Sequence, residues 1–306
     1  MAAKAPATNR SGLTLGPLLY HWPADEWADF YARIADEAPV DCVYMGEVVC
    51  SKRLPVYADR IPEAVDRLRR GGKEVVLSSQ ILVTLQRERR LCRDLAEEDI
   101  VEVNDISMLA HLEPGRRFDV GPFVNVYNEH TLAFLAARGA RRVCLPPELP
   151  QSSVCRIAAG ARGTGAEVEI LAFGRVPLAI SARCYHARIH GLSKDSCQYV
   201  CGNDPDGLEV DTLDGERFLA VNGVQTLSHS CRQMFDSLED LRSKGVGSFR
   251  LSPQHCDMVA VCELFRCVLD GQMTPGAASR ELAQLMPGTV FSDWFDGGTD
   301  RTISAA

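Results

Sequence analysis

The 306-residue chain is 46% hydrophobic and 24% charged, and its 41 acidic against 33 basic residues leave a formal net charge of −8. That is ample apolar material for a large core, and an acidic balance without a long basic run argues against general binding to nucleic acid or anionic membrane. No run of about 18 apolar residues is available to span a bilayer, and the opening MAAKAPATNRSG lacks the apolar core of a signal peptide, so a cytoplasmic location is expected.

In chain order, residues 1–12 read as a flexible tail. Leu13–Tyr20 reads as a first strand, and an amphipathic helix follows over Asp25–Glu37, with Trp27, Phe30, Tyr31 and Ile34 sharing a face. Further strands are expected at Asp41–Met45, Glu74–Ser78, Asp99–Val103, Asp119–Val126, Arg142–Leu145 and Glu167–Phe173. Helices are expected between them at Ile61–Arg70, Val83–Ala96, His130–Arg138 and Ser152–Arg162. The rhythm then breaks for a cysteine-rich insertion over about 174–216. It resumes with strands at Arg217–Asn222 and Ser248–Leu251 and a helix at Cys256–Leu269. Parallel strands need crossover helices, so this alternation predicts an α/β fold, a (β/α)₈-type barrel forming a single domain over 13–306.

In such a barrel the chemistry sits at the C-terminal ends of the strands. Glu47, Asn125, Asn128, Glu148, Asn222, Gln225 and Arg250 lie at or just beyond expected strand ends and are candidate pocket residues. On the same rim fall Cys50, past the second strand, and the insertion past the seventh.

That insertion carries RCYHARIHGLSKDSCQYVC, residues 183–201. Three thiols in so short and polar a segment are poorly explained as core, whereas a soft metal centre needs several thiolates converging. Cys50, in GEVVCSKR, is the best fourth ligand. The neighbouring Lys and Arg side chains would stabilise an anionic cluster and lower thiol pKa values. Cys50, Cys184, Cys197 and Cys201 are therefore the expected cofactor-binding set. Zinc is the rival: His186 and His190 are four apart and would share a helix face with Cys184 nearby, although Arg188 beside them would repel a divalent cation. Of the other cysteines, Cys42, Cys144 and Cys262 fit small buried hydrophobes. Cys92 sits among charges, and Cys155, Cys231, Cys256 and Cys267 are ambiguous. No HExxH, GxxxxGK[ST], GxSxG or strand-following GxGxxG occurs.

LGPLLYHWP, GEVVCSKR, EILAFGRVPLAISARCYHAR with the C-x₃-C beyond it, VNGVQTLS and FRLSPQ together resemble the peptidase U32 family, and within it the UbiV branch. The resemblance implies a [4Fe-4S] cluster held by Cys50, Cys184, Cys197 and Cys201. It also implies a heterodimer with a UbiU-like protein, an accessory lipid-binding protein of the ubiquinone pathway, and oxygen-independent hydroxylation of ubiquinone precursors with prephenate as oxygen source. Peptidase-type members carry a His-Gly pair and an extra cysteine where this chain has Phe173-Gly174 and Pro177, and another cysteine near Thr226–Ser228. Their absence argues against proteolysis. The alternatives are a U32-type peptidase, an RNA-modification-related protein, or a partner subunit whose cluster is structural.

Overall fold

The computed structural model describes residues 11–289 and 291–292; residues 1–10 of the expected tail lie outside that range, and Gly12 already pairs in a strand with Ser248. The strands are β1 Gly12–Leu15, β2 Cys42–Met45, β3 Glu74–Ser78, β4 Val101–Val103, β5 Phe118–Val120, β6 Ala140–Cys144, β7 Glu167–Ile180, β8 Leu208–Asp211, β9 Arg217–Asn222, β10 Gln225–Gln233, β11 Ser248–Leu251 and β12 Phe291–Ser292. The helices are α1 Ala24–Glu37, α2 Leu54–Tyr57, α3 Ile61–Arg70, α4 Gln86–Leu95, α5 Glu129–Ala136, α6 Gln151–Ala161, α7 Tyr185–Ile189, α8 Leu238–Lys244, α9 Met258–Leu269 and α10 Pro275–Leu285.

Strands β1 to β7 run parallel in sequence order, and β11 closes the ring by pairing in parallel with both β1 and β7. The result is a closed eight-stranded parallel barrel with helices between most successive strands, as expected. The helices seat on it through narrow apolar stripes: α1 buries Trp27, Tyr31, Ile34 and Ala35, and α3 buries Val65 and Leu68 beneath its charged outer face.

Several boundaries differ from expectation for local reasons. β1 stops at Leu15 because Gly16-Pro17 turns the chain, and β5 stops at Val120 before Gly121-Pro122. Arg217–Asn222 is a strand but belongs to no barrel wall. It is β9, in an antiparallel extension β8-β9-β10 grafted onto the barrel through β7. β7 accordingly runs on past Phe173 to Ile180, because β10 takes over its edge. It accommodates Pro177 where the register shifts.

The barrel interior is charged where such barrels usually stack aliphatic layers. Arg250 on β11 pairs with Glu102 and, at 2.5 Å, with Glu169, and its guanidinium lies 3.8 Å over the Tyr44 ring. Thr14 and Ser78 donate to Glu169 and Glu102 at 2.6 Å each, and Tyr44 donates to Asp119 at 2.9 Å. Cys42, Cys144 and Cys262 are buried as expected, and Cys92 and Cys231 are buried with them.

Candidate metal centre

The loop leaving β2 and the excursion leaving β7 meet on the C-terminal rim. Glu47, buried at the start of the loop, accepts from the backbone N–H of Val49 at 2.9 Å and of Cys50 at 2.8 Å, which folds the loop back and fixes Cys50. Lys52 donates to the Lys194 carbonyl and pairs with Asp195 at 3.0 Å, while the Tyr199 hydroxyl donates to the Lys52 carbonyl at 3.0 Å. These contacts join segments more than a hundred residues apart in sequence.

A pocket lies at the junction, lined by Cys50, Cys184, Cys197 and Cys201 together with Arg53, Lys52 and Lys194. All four expected cysteines thus reach one cavity. Cys184 caps α7, its Sγ accepting from the Ala187 N–H at 3.4 Å. Cys197 and Cys201 flank Gln198 and Tyr199, two consecutive non-glycine residues at φ +50° and +54°. Such left-handed pairs are strained for L-residues, and this one turns the chain tightly enough for both thiols to face the same space.

The buried guanidinium of Arg53 forms one wall. It donates to the Leu19 carbonyl at 2.9 Å and to Asn222 Oδ1 at 3.0 Å, and it hydrogen-bonds the Cys201 thiol. Asn222 is held in turn through Nδ2 by the Leu19 carbonyl at 2.8 Å and Gln225 Oε1 at 3.0 Å. Burial pushes the Cys50 and Cys201 thiols up, and Arg53 pulls each back toward thiolate.

A second donor group adjoins the pocket. His186 and His190 stack at 5.7 Å between ring centroids, 15° from parallel, and His186 Nε2 bonds Asp204 at 2.9 Å. Among the described residues, only His186, His190 and Asp204 bring three ligand atoms within 4.8 Å of one another. The histidines do share a face, but their third neighbour is Asp204 and not Cys184.

Of the expected rim residues, Glu47, Asn222 and Gln225 support the pocket from behind. Arg250 does not reach the thiol pocket; the ends of its guanidinium are taken up inside the barrel by Glu102 and Glu169. Asn125 and Glu148 are exposed and Asn128 caps α5, so these three serve the surface, with Glu148 accepting from Tyr127. Asp204, Tyr199 and His21, whose Nδ1 sits 2.7 Å from the Tyr57 hydroxyl, escaped sequence reading because no motif marks them.

Residues 27–301 match the family model for peptidase family U32. The chain belongs to peptidase family U32. Its fold is similar to that of a solved U32 peptidase, at 14% identity and a TM-score of 0.42 over 83% of this chain and 97% of that one. A putative dihydrodipicolinate synthase family protein from Coccidioides immitis matches 90% of this U32 chain and 77% of its own, at 9% identity and a TM-score of 0.48. An enolase from Agrobacterium radiobacter, a putative galactarate dehydratase, matches at 17% identity and a TM-score of 0.37 over 53% of this chain, which spans 45% of that enzyme. Likenesses this distant carry no ligand or reaction over to the U32 chain. No helix among its described residues is long and apolar enough to cross a membrane.

Proposed function

We propose that this U32-family protein holds a [4Fe-4S] cluster through Cys50, Cys184, Cys197 and Cys201. In this reading it acts as the UbiV-like subunit of a heterodimer with a UbiU-like protein, in the oxygen-independent hydroxylation of ubiquinone precursors with prephenate as oxygen source. The observation that carries the reading is the meeting of those four thiols, from two distant segments, in one pocket walled by a buried arginine. The donor set fits the group: four soft ligands, with Arg53, Lys52 and Lys194 to offset the negative charge of a thiolate-ligated cluster.

When bound, such a cluster supplies one-electron redox chemistry that no side chain provides. The chain's own residues supply the setting. Glu47 and the Cys184 cap orient two of the thiols. Arg53 favours thiolate at Cys201 and Cys50. The Lys52, Asp195 and Tyr199 contacts tie the insertion to the loop that carries Cys50.

Anaerobic purification with iron and sulfide quantitation and EPR of the reduced protein tests this. The expected outcome is about four irons per chain, lost in each of Cys50→Ala, Cys184→Ala, Cys197→Ala and Cys201→Ala. A variant that keeps its full iron content removes that residue from the ligand set. One zinc without sulfide, lost in His190→Ala, favours the reading in which His186, His190 and Asp204 bind a single ion. Activity on peptide or tRNA by cluster-free protein favours the peptidase or RNA-modifying alternative, and a cluster that never changes oxidation state in turnover favours a structural one.

A further inference from the structure

A second pocket opens at the mouth of the barrel between the ends of β1, β5, β7 and β11, and it shares no lining residue with the thiol pocket. The C-terminal mouth is where barrels of this type bind their ligands. Its walls include Leu19, Phe123 and Leu171, and its polar lining comes from Arg175, Arg250 and Ser252, with no acidic residue among the lining groups.

These three polar side chains are 8%, 2% and 5% exposed, and each keeps a buried donor without a partner: Arg175 Nε, Arg250 Nε and the Ser252 hydroxyl. Buried donors are normally satisfied, and a cluster of unmet ones marks a place where something polar belongs. Some of the other donors of Arg250 and Arg175 are taken up elsewhere. Arg250 directs the ends of its guanidinium down to Glu102 and Glu169, and Arg175 Nη1 donates to the carbonyls of Ser228, at 3.0 Å, and His229. The nearest carboxylate to Arg175 is that of Glu209, at 3.9 Å and half exposed. Gly174, at φ +115°, lets the β7 backbone approach Ser252 so closely that a Cβ there would lie 2.7 Å from the serine Cβ.

We propose that the barrel mouth is a ligand site separate from the thiol pocket, and that it takes a small carboxylate with an apolar body. Three unpartnered donors on residues that line one pocket, two of them guanidinium N–H groups, select an anionic acceptor, and the apolar walls select the rest of the molecule. The phosphate ion, which has no apolar body, leaves those walls in contact with water.

The test is ¹⁹F NMR titration of the full chain with 4-fluorobenzoate, using 4-fluorobenzamide as its neutral counterpart and inorganic phosphate as competitor. Wild-type protein is expected to bind the benzoate and not the amide. Arg175→Gln and Ser252→Ala are each expected to weaken binding by about tenfold, with thermal melting checking the fold. If Arg175→Gln fails to fold, Ser252→Ala decides. Cys197→Ala is expected to bind as wild type does, whatever becomes of its metal content, so this outcome stands apart from that of the cluster reading. No binding of benzoate, equal binding of the amide, unchanged affinity in the folded variants, loss of binding in Cys197→Ala, or tighter binding of phosphate than of benzoate would each overturn the proposal.

Discussion

Glu88 illustrates how single side chains hold the rim together. Its carboxylate is 3% exposed and accepts from the backbone N–H groups of Thr84, at 2.7 Å, and Leu85, at 2.8 Å, and from the Ser51 hydroxyl at 2.9 Å. One residue thus caps the first turn of α4 and pins the position next to Cys50. Burial alone would raise its pKa, but the donors outweigh it and hold the carboxyl below its ordinary value. A depressed folded-state pKa means stability that is present above the unfolded value and lost as pH falls through the folded one. Glu88→Gln is therefore expected to cost about 1 kcal/mol at neutral pH. The gap to wild type should close below about pH 4.3, where the unfolded carboxyl is protonated. Urea unfolding at a series of pH values checks this, and a gap constant with pH would refute the electrostatic account.

Between elements, the two-residue turn joining β9 to β10 decides whether Arg53 stays in place. Gly223 sits there at φ +62°, and a Cβ added to it would lie 3.0 Å from Arg53 Nη2 and 3.6 Å from Val49. Gly223→Ala combines a left-handed alanine with pressure on the guanidinium, a cost of about 1–2 kcal/mol. Because Asn222 precedes it and holds Arg53, which favours thiolate at Cys201, the change is also expected to slow alkylation at Cys201, followed by peptide mass mapping, more than at Cys262 in the core. Equal rates at Cys201 in variant and wild type would mean that the turn does not support the pocket. The Asn-Gly pair was a readable hairpin signal. β10 and β8 were nevertheless not foreseen, because short segments whose partners come from a grafted extension lack the periodicity that marks barrel elements.

For the whole molecule, the charged interior couples opposite sides of the barrel. Arg250 on β11 reaches Glu102 on β4 and Glu169 on β7, all three essentially out of contact with water. Removing the cation leaves two carboxylates facing each other in a low-dielectric space. Arg250→Met is thus expected to lower the unfolding free energy by about 3–5 kcal/mol, measured by urea denaturation. An unchanged midpoint would show that the carboxylates protonate or find solvent at no net cost.

The sequence by itself determined the barrel and most of its pieces. Repeated short apolar runs such as Glu74–Ser78 and Ser248–Leu251, separated by amphipathic stretches such as Ile61–Arg70, leave a parallel closed sheet as the economical way to bury both, and they emerged with those bounds. The same residues showed that Cys50 and the 183–201 segment leave the barrel on one rim, since both follow strand ends. Only the tertiary structure decided the rest: that Arg53 stands behind Cys201, that Asp204 joins the two histidines, that Arg250 turns inward while Arg175 and Ser252 keep donors free at the mouth. Local periodicity records which face of an element is buried. Which charged side chain meets which partner across the barrel depends on register and closure, and these are set by contacts between residues far apart in the chain.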